Sequence, residues 1–142
     1  MSRAGYIEGD AGDEWALIRW RGAVRSALRG KRGQAFLREL IEALDALPNH
    51  ELAAYQFGKG GEYCALGAVA RKRGIDVSHL DELDPGLHGY QEGIGDLFGI
   101  ADAMAREIMY ENDDPCWQQT PRDRWRHMMA WAKRNLIAES AP

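Results

Sequence analysis

Cysteine is scarce in this chain: Cys64 and Cys116 are its only two, and neither belongs to a CxxC pair. That scarcity argues against a disulfide framework and against a cysteine-based zinc site, and it points to a reducing compartment. Long apolar runs are missing as well. No stretch approaches the roughly 18 consecutive apolar residues that a membrane span needs, so no membrane partner is expected. The first residues, Met1 to Tyr6, carry no apolar core of the kind a signal peptide has. Internal repeats and low-complexity tracts are absent too. Acids are missing from one whole block: residues 19–38 hold Arg19, Arg21, Arg25, Arg29, Lys31, Arg32 and Arg38 and not a single Asp or Glu. Bases are nearly missing from another, since residues 76–114 hold eleven acids against Arg106 alone. A formal net charge of −4 therefore hides strong segregation. Such blocks pair within a fold or mark a surface for a charged partner.

What is present fits one domain. A chain of 142 residues with 45% hydrophobic side chains can bury a core unaided. Residues 1–12 read as a flexible arm, 13–137 as a single globular domain and 138–142 as a flexible tail. Leu17, Trp20, Val24, Ala27 and Leu28 fall at helical spacing, as do Phe36, Leu37, Leu40, Ile41, Leu44 and Leu47. Gly30 and Gly33 break between the two, which predicts a helical hairpin. Leu52–Phe57 and Glu62–Leu66 flank Gly58-Lys59-Gly60-Gly61, and that pattern predicts a small β-hairpin. A helix is expected from Ala65 to Arg73, a short helical turn near Ile94–Phe98, and another helix over 100–110. Thr120-Pro121-Arg122-Asp123 is a helix start with its cap, first-turn proline and acidic partner in place. The expected class is mainly α (α+β), a single domain of about five helices with the small β-hairpin.

The stretch GKGGEYCALG raises the question of catalysis. Cys64 stands where a glycine-rich turn meets a helix start, a position that lowers thiol pKa values. A cysteine-dependent hydrolase or transferase would need a base, and His79 or His88 in the acidic segment could supply one. The plainer reading packs Cys64 as a small apolar residue beside Tyr63 and Leu66, and the residues favour it. The same glycines and Lys59 suggest an anion cradle, but they do not match GxxxxGK[ST]. Glu111, Asp113 and Asp114, and Asp81, Glu82 and Asp84, lack the alternating layout of a calcium loop. No metal and no cofactor is expected.

The arginines are the stronger anomaly. Arg21, Arg25 and Arg29 recur every four residues and stack on one helix face. Like charges so spaced destabilise a helix by about 0.2–0.5 kcal/mol per pair, so something should answer them. Either the acidic segment over 76–114 covers the ridge, or an external anion does.

WRGAVRSALRGKRGQAFLREL, YCALGAVA, AREIMYEND and TPRDRWRHMMAWAKRNL together resemble small uncharacterised proteins encoded by tailed phages and by prophage-like regions of proteobacteria. A broader phage group has Tyr-Cys-Cys-Leu-Gly and a later Asn-Asp. Their counterparts here are Tyr63-Cys64-Ala65-Leu66-Gly67 and Asn112-Asp113, with Ala65 replacing the second cysteine. The resemblance implies a phage or mobile-element context and carries no established activity. The favoured expectation is a small non-enzymatic accessory protein acting in the cytoplasm of the bacterial host cell. It would contact a host or phage protein, or nucleic acid, through Arg21, Arg25, Arg29, Lys31 and Arg32. A structural subunit that forms a homo-oligomer through exposed tryptophans is the further alternative.

Overall fold

The computed structural model describes residues 14–82, 93–113 and 120–138. The arm over 1–12, most of the tail, His88 and Cys116 lie outside the described residues. Six α-helices are present among those described: α1 (Glu14–Arg29), α2 (Lys31–Asp45), α3 (Ala65–Arg73), α4 (Ile94–Phe98), α5 (Asp102–Asp113) and α6 (Pro121–Arg134). Two 3₁₀ turns, Lys59–Gly61 and Ser78–Glu82, complete the set. None of these helices is long and apolar enough to cross a membrane.

The centre of the molecule is α3. Its residues Ala65 to Ala70 are all buried, so the helix has no polar face over its first turns and must sit inside other elements. It packs on α2 along one side and on α5 along another. From α2 come Phe36, Leu37, Leu40, Ala43 and Leu44, and from α5 come Met104, Ala105, Ile108 and Met109. Gly74, left-handed at φ 73°, stops α3 where most side chains would be strained. Just before it, Lys72 and Arg73 bridge back to α2, Lys72 3.7 Å from both Glu39 and Glu42 and Arg73 bound to Glu39. The Arg73 guanidinium, above all, holds the Glu39 carboxyl below its ordinary range.

The last helix starts as its sequence requires. Thr120 Oγ1 accepts the Asp123 amide at 3.1 Å, with Pro121 at the first helical position. Met128, Met129, Trp131 and Ala132 face the core. Trp125 is half-buried, donates its indole N–H to Leu44 O at 2.8 Å and stacks on the His50 ring at 4.2 Å. At the other end of the chain, α1 leans on α2 and α5. Gly30 alone separates α1 from α2, and a side chain at Gly33 would run into the Ala27 carbonyl. The inward stripe of α1 begins at Trp20, because Leu17 is exposed.

The β-hairpin is not there: the described residues contain helices and turns and no strand. The reason lies in where the backbone donors go. Only two backbone–backbone bonds cross between the expected strands, Ala53 N to Tyr63 O (2.8 Å) and Cys64 N to Phe57 O (3.4 Å). Two further amides of the first segment and two of the turn are taken by carboxylates, and Leu52 N donates to Pro121 O. Tyr55 N donates to Asp113 Oδ1, and Phe57, Gly58 and Lys59 N donate to Asp81. Tyr55 itself sits at φ 62°, which breaks an extended run. The class is therefore all-helical, not α+β.

Candidate functional site

A groove of about 450 Å³ lies between α1 and the end of α6. Arg21, Arg25 and Arg29 line it from α1, and Arg134 lines it from α6. Val24 and Leu28 of α1, Trp131 of α6, and Leu136 and Ile137 just beyond give it an apolar floor. Glu107 of α5 is the one carboxylate among the lining residues. The groove exists because α1 rests on α2 and α5 and leaves its remaining flank open towards the chain that leaves α6. All four arginines are exposed. Among the described residues, none of them has a carboxylate within ion-pair distance.

Four of the acids expected to cover this ridge have partners of their own, while Glu107 lines the groove itself. Asp81 holds the amides of residues 57–59 at 2.6–3.0 Å, Asp102 accepts from Gly95 N, Asp113 accepts from Tyr55 N, and Glu111 faces His127. The acids at 84, 92 and 114 lie outside the described residues. Lys31 and Arg32 do not line the groove with the ridge. Both are exposed at the start of α2, and Arg32 reaches Gly99 O at 3.5 Å.

Sequence patterns missed the residue that builds the far wall. Gln34 is buried in α2. Its Nε2 donates to Leu28 O (2.7 Å) and to Asn135 O (3.1 Å), and its Oε1 accepts Ile137 N (2.9 Å). One amide thus ties the end of α1 to the end of α6 and orients Leu136 and Ile137. A lone glutamine among apolar neighbours gives no periodic signal, and its role follows only from burial without desolvated polar atoms.

The glycine-rich turn resolves differently from either chemical expectation. It does cradle an anion, but the anion is the protein's own Asp81: Phe57 N meets Oδ1 at 2.6 Å, and Gly58 N and Lys59 N meet Oδ2 at 3.0 Å. Cys64 caps α3, is 1% exposed, and its Sγ accepts the Gly67 amide at 3.4 Å. The amides that would stabilise an oxyanion are occupied, since Ala65 N donates to Asn112 Oδ1 at 3.0 Å. His79 is exposed, and no hydrogen bond joins it to Cys64 among the described residues. The stretches Tyr63-Cys64-Ala65-Leu66-Gly67 and Asn112-Asp113 meet through that Ala65–Asn112 bond. Asn112 Nδ2 donates in turn to Ala53 O and Asp113 Oδ1, and Arg124 Nη1 donates to Leu52 O nearby. This is a buried polar knot that fixes the loop over 50–64.

Close to the groove, Glu111 Oε1 lies 3.5 Å from His127 Nε2. Burial pushes the Glu111 carboxyl above its ordinary range, with the Glu107 charge adding to the rise and His127 and Arg134 opposing it. The native state therefore holds this proton more tightly than the unfolded chain, so its contribution is full at low pH and is lost as pH rises through the raised value. Glu111→Gln should unfold at an equal or higher temperature than wild type at pH 7.5, and the difference should shrink as the pH is lowered towards the carboxylate range. A variant less stable at pH 7.5 than at pH 5, each relative to wild type, would contradict this.

Among the described residues no three His, Cys, Asp or Glu side chains gather as a metal-binding group. No protein-family model, no curated protein and no solved structure matches this chain.

Proposed function

We propose that this protein is a non-catalytic binding module whose contact surface is the arginine face of α1 together with the adjoining groove. The observation that carries the reading is the convergence of Arg21, Arg25, Arg29 and Arg134 on one concavity, with no described carboxylate paired to any of them. Four like charges held together raise the free energy of the unbound fold modestly and lower that of a complex with an anion. A phage or prophage context, as the resemblance implies, suits such an accessory module acting on a host or phage component inside the bacterial cell. A cysteine hydrolase is the weaker reading, because Cys64 is sealed and the amides around it are engaged.

The test is the triple variant Arg21→Gln, Arg25→Gln, Arg29→Gln. Its denaturation midpoint should equal or slightly exceed that of wild type, since each repulsive pair removed returns about 0.2–0.5 kcal/mol. Its affinity for anionic polymers such as polyglutamate should fall, and the salt dependence of binding should flatten with it. A destabilised variant, together with a wild type that binds no anionic polymer at low salt, would remove the basis of the proposal.

A further inference from the structure

Resting on that reading, we infer that the occupant of the groove is an acidic segment of a partner protein, with carboxylates flanking one large apolar side chain, and not a nucleic acid. Three observations select it. The first is the floor. Val24, Leu28, Leu136 and Ile137 lie beneath and beside the arginines, and Ile137 is 50% exposed. An apolar anchor would bury that surface, whereas a sugar-phosphate backbone would leave it wet.

The second is the state of the aromatics. Single-stranded nucleic acid binds by stacking bases on open rings. In this groove Trp131 is buried to 5% exposure, and the Trp20 ring already carries the Arg106 guanidinium 4.4 Å from its centroid. Trp131 offers no open face to a base, and Trp20 at most the one that Arg106 leaves. The third is charge at longer range. A chain of formal net charge −4 repels an extended polyanion once it leaves the groove. A short acidic segment meets only the arginines.

The geometry sets the spacing. Arginines four residues apart on α1 are about 6 Å apart along its axis. Carboxylates four apart on a helix, or two apart on an extended chain at about 6.6–6.8 Å, match that rise. Farther along α1, Trp15 (74% exposed), Leu17 and Ile18 extend the surface. Exposed tryptophan and arginine on one helix are the side chains that dominate protein–protein contacts.

The experiment titrates the full-length protein with four labelled probes at one salt concentration. They are a peptide with glutamates on both sides of a central leucine, the same peptide with serine at the centre, a single-stranded oligonucleotide of equal charge, and its duplex. Wild type should bind the leucine peptide most tightly, with serine costing about tenfold or more. Arg25→Gln should weaken both peptides. Ile137→Ser, at a half-exposed position outside the helices, should weaken only the leucine peptide. If binding needs the arginines but ignores the central leucine and Ile137, or if an oligonucleotide binds as well, the acidic-segment inference fails and the anion-binding module stands. If none of the four probes binds, both fall.

Discussion

Replacing Asn112 with leucine should lower the thermal midpoint by about 10 °C. The side chain is 2% exposed and makes three bonds: two hold other elements, Ala65 N at the start of α3 and Ala53 O in the loop over 50–64, and the third holds the neighbouring Asp113 carboxylate. Leucine has nearly the same shape but leaves those groups without their amide partner. Each buried polar group so left costs about 1–3 kcal/mol, and about 3 kcal/mol in total corresponds to roughly 10 °C in a domain of this size. The loop should also open, because Asp113 then loses the amide that steadies it against Tyr55 N. Leucine at the exposed Asn49 is the control and should shift the midpoint by no more than a degree or two. Equal midpoints for the two variants would show that the polar knot does not hold α5 to α3.

The second large effect reverses a familiar sign. Glycine inside a helix normally weakens it, and alanine in its place adds about 0.5–1 kcal/mol. Gly67 lies inside α3, yet a methyl group there would overlap the Phe57 carbonyl, a backbone atom that cannot rotate aside. Either α3 or the loop carrying Phe57 must move, and Phe57 is a fully buried core residue. Gly67→Ala should therefore destabilise by about 3 kcal/mol or more, the upper end of what overpacking costs. Gly22→Ala on α1, where nothing lies within 4 Å of the added carbon, should instead stabilise by the ordinary amount. Thermal melts of the two single variants decide the matter. If both move the same way, the close approach of α3 to Phe57 is not what fixes the turn.

How much of this was readable beforehand differs by element. The helices over 14–45 and 121–134 follow from apolar spacing and from the Thr120-Pro121 cap, because those signals are local. The failed hairpin was a local signal as well, with a glycine-rich turn between two apolar runs. It was overruled by Asp81 and Asp113, whose carboxylates arrive from distant positions and take the amides a partner strand would need. No window around residue 58 contains that information. The groove was half legible. The α1 ridge showed in the spacing of Arg21, Arg25 and Arg29, while Arg134, more than a hundred residues away in the sequence, shares no spacing with them. Arg124 is buried against Leu52 O, and nothing in its sequence neighbourhood announces that. Lys31 and Arg32 continue the basic run in sequence but leave its face at the Gly30 break.

The Gln34 clamp fixes the order in which the groove can come into being. Its bonds to Asn135 and Ile137 span 101 and 103 residues, and its bond to Leu28 spans six. On a ribosome, α1 and α2 emerge early with the arginine ridge already spaced, but with no floor beneath it. The second wall arrives only when residue 137 has cleared the exit tunnel. A nascent or truncated chain would thus carry the charge without the concavity and would attract anions indiscriminately. The selectivity for an apolar anchor proposed above would be acquired with the last turn of α6 and the residues after it.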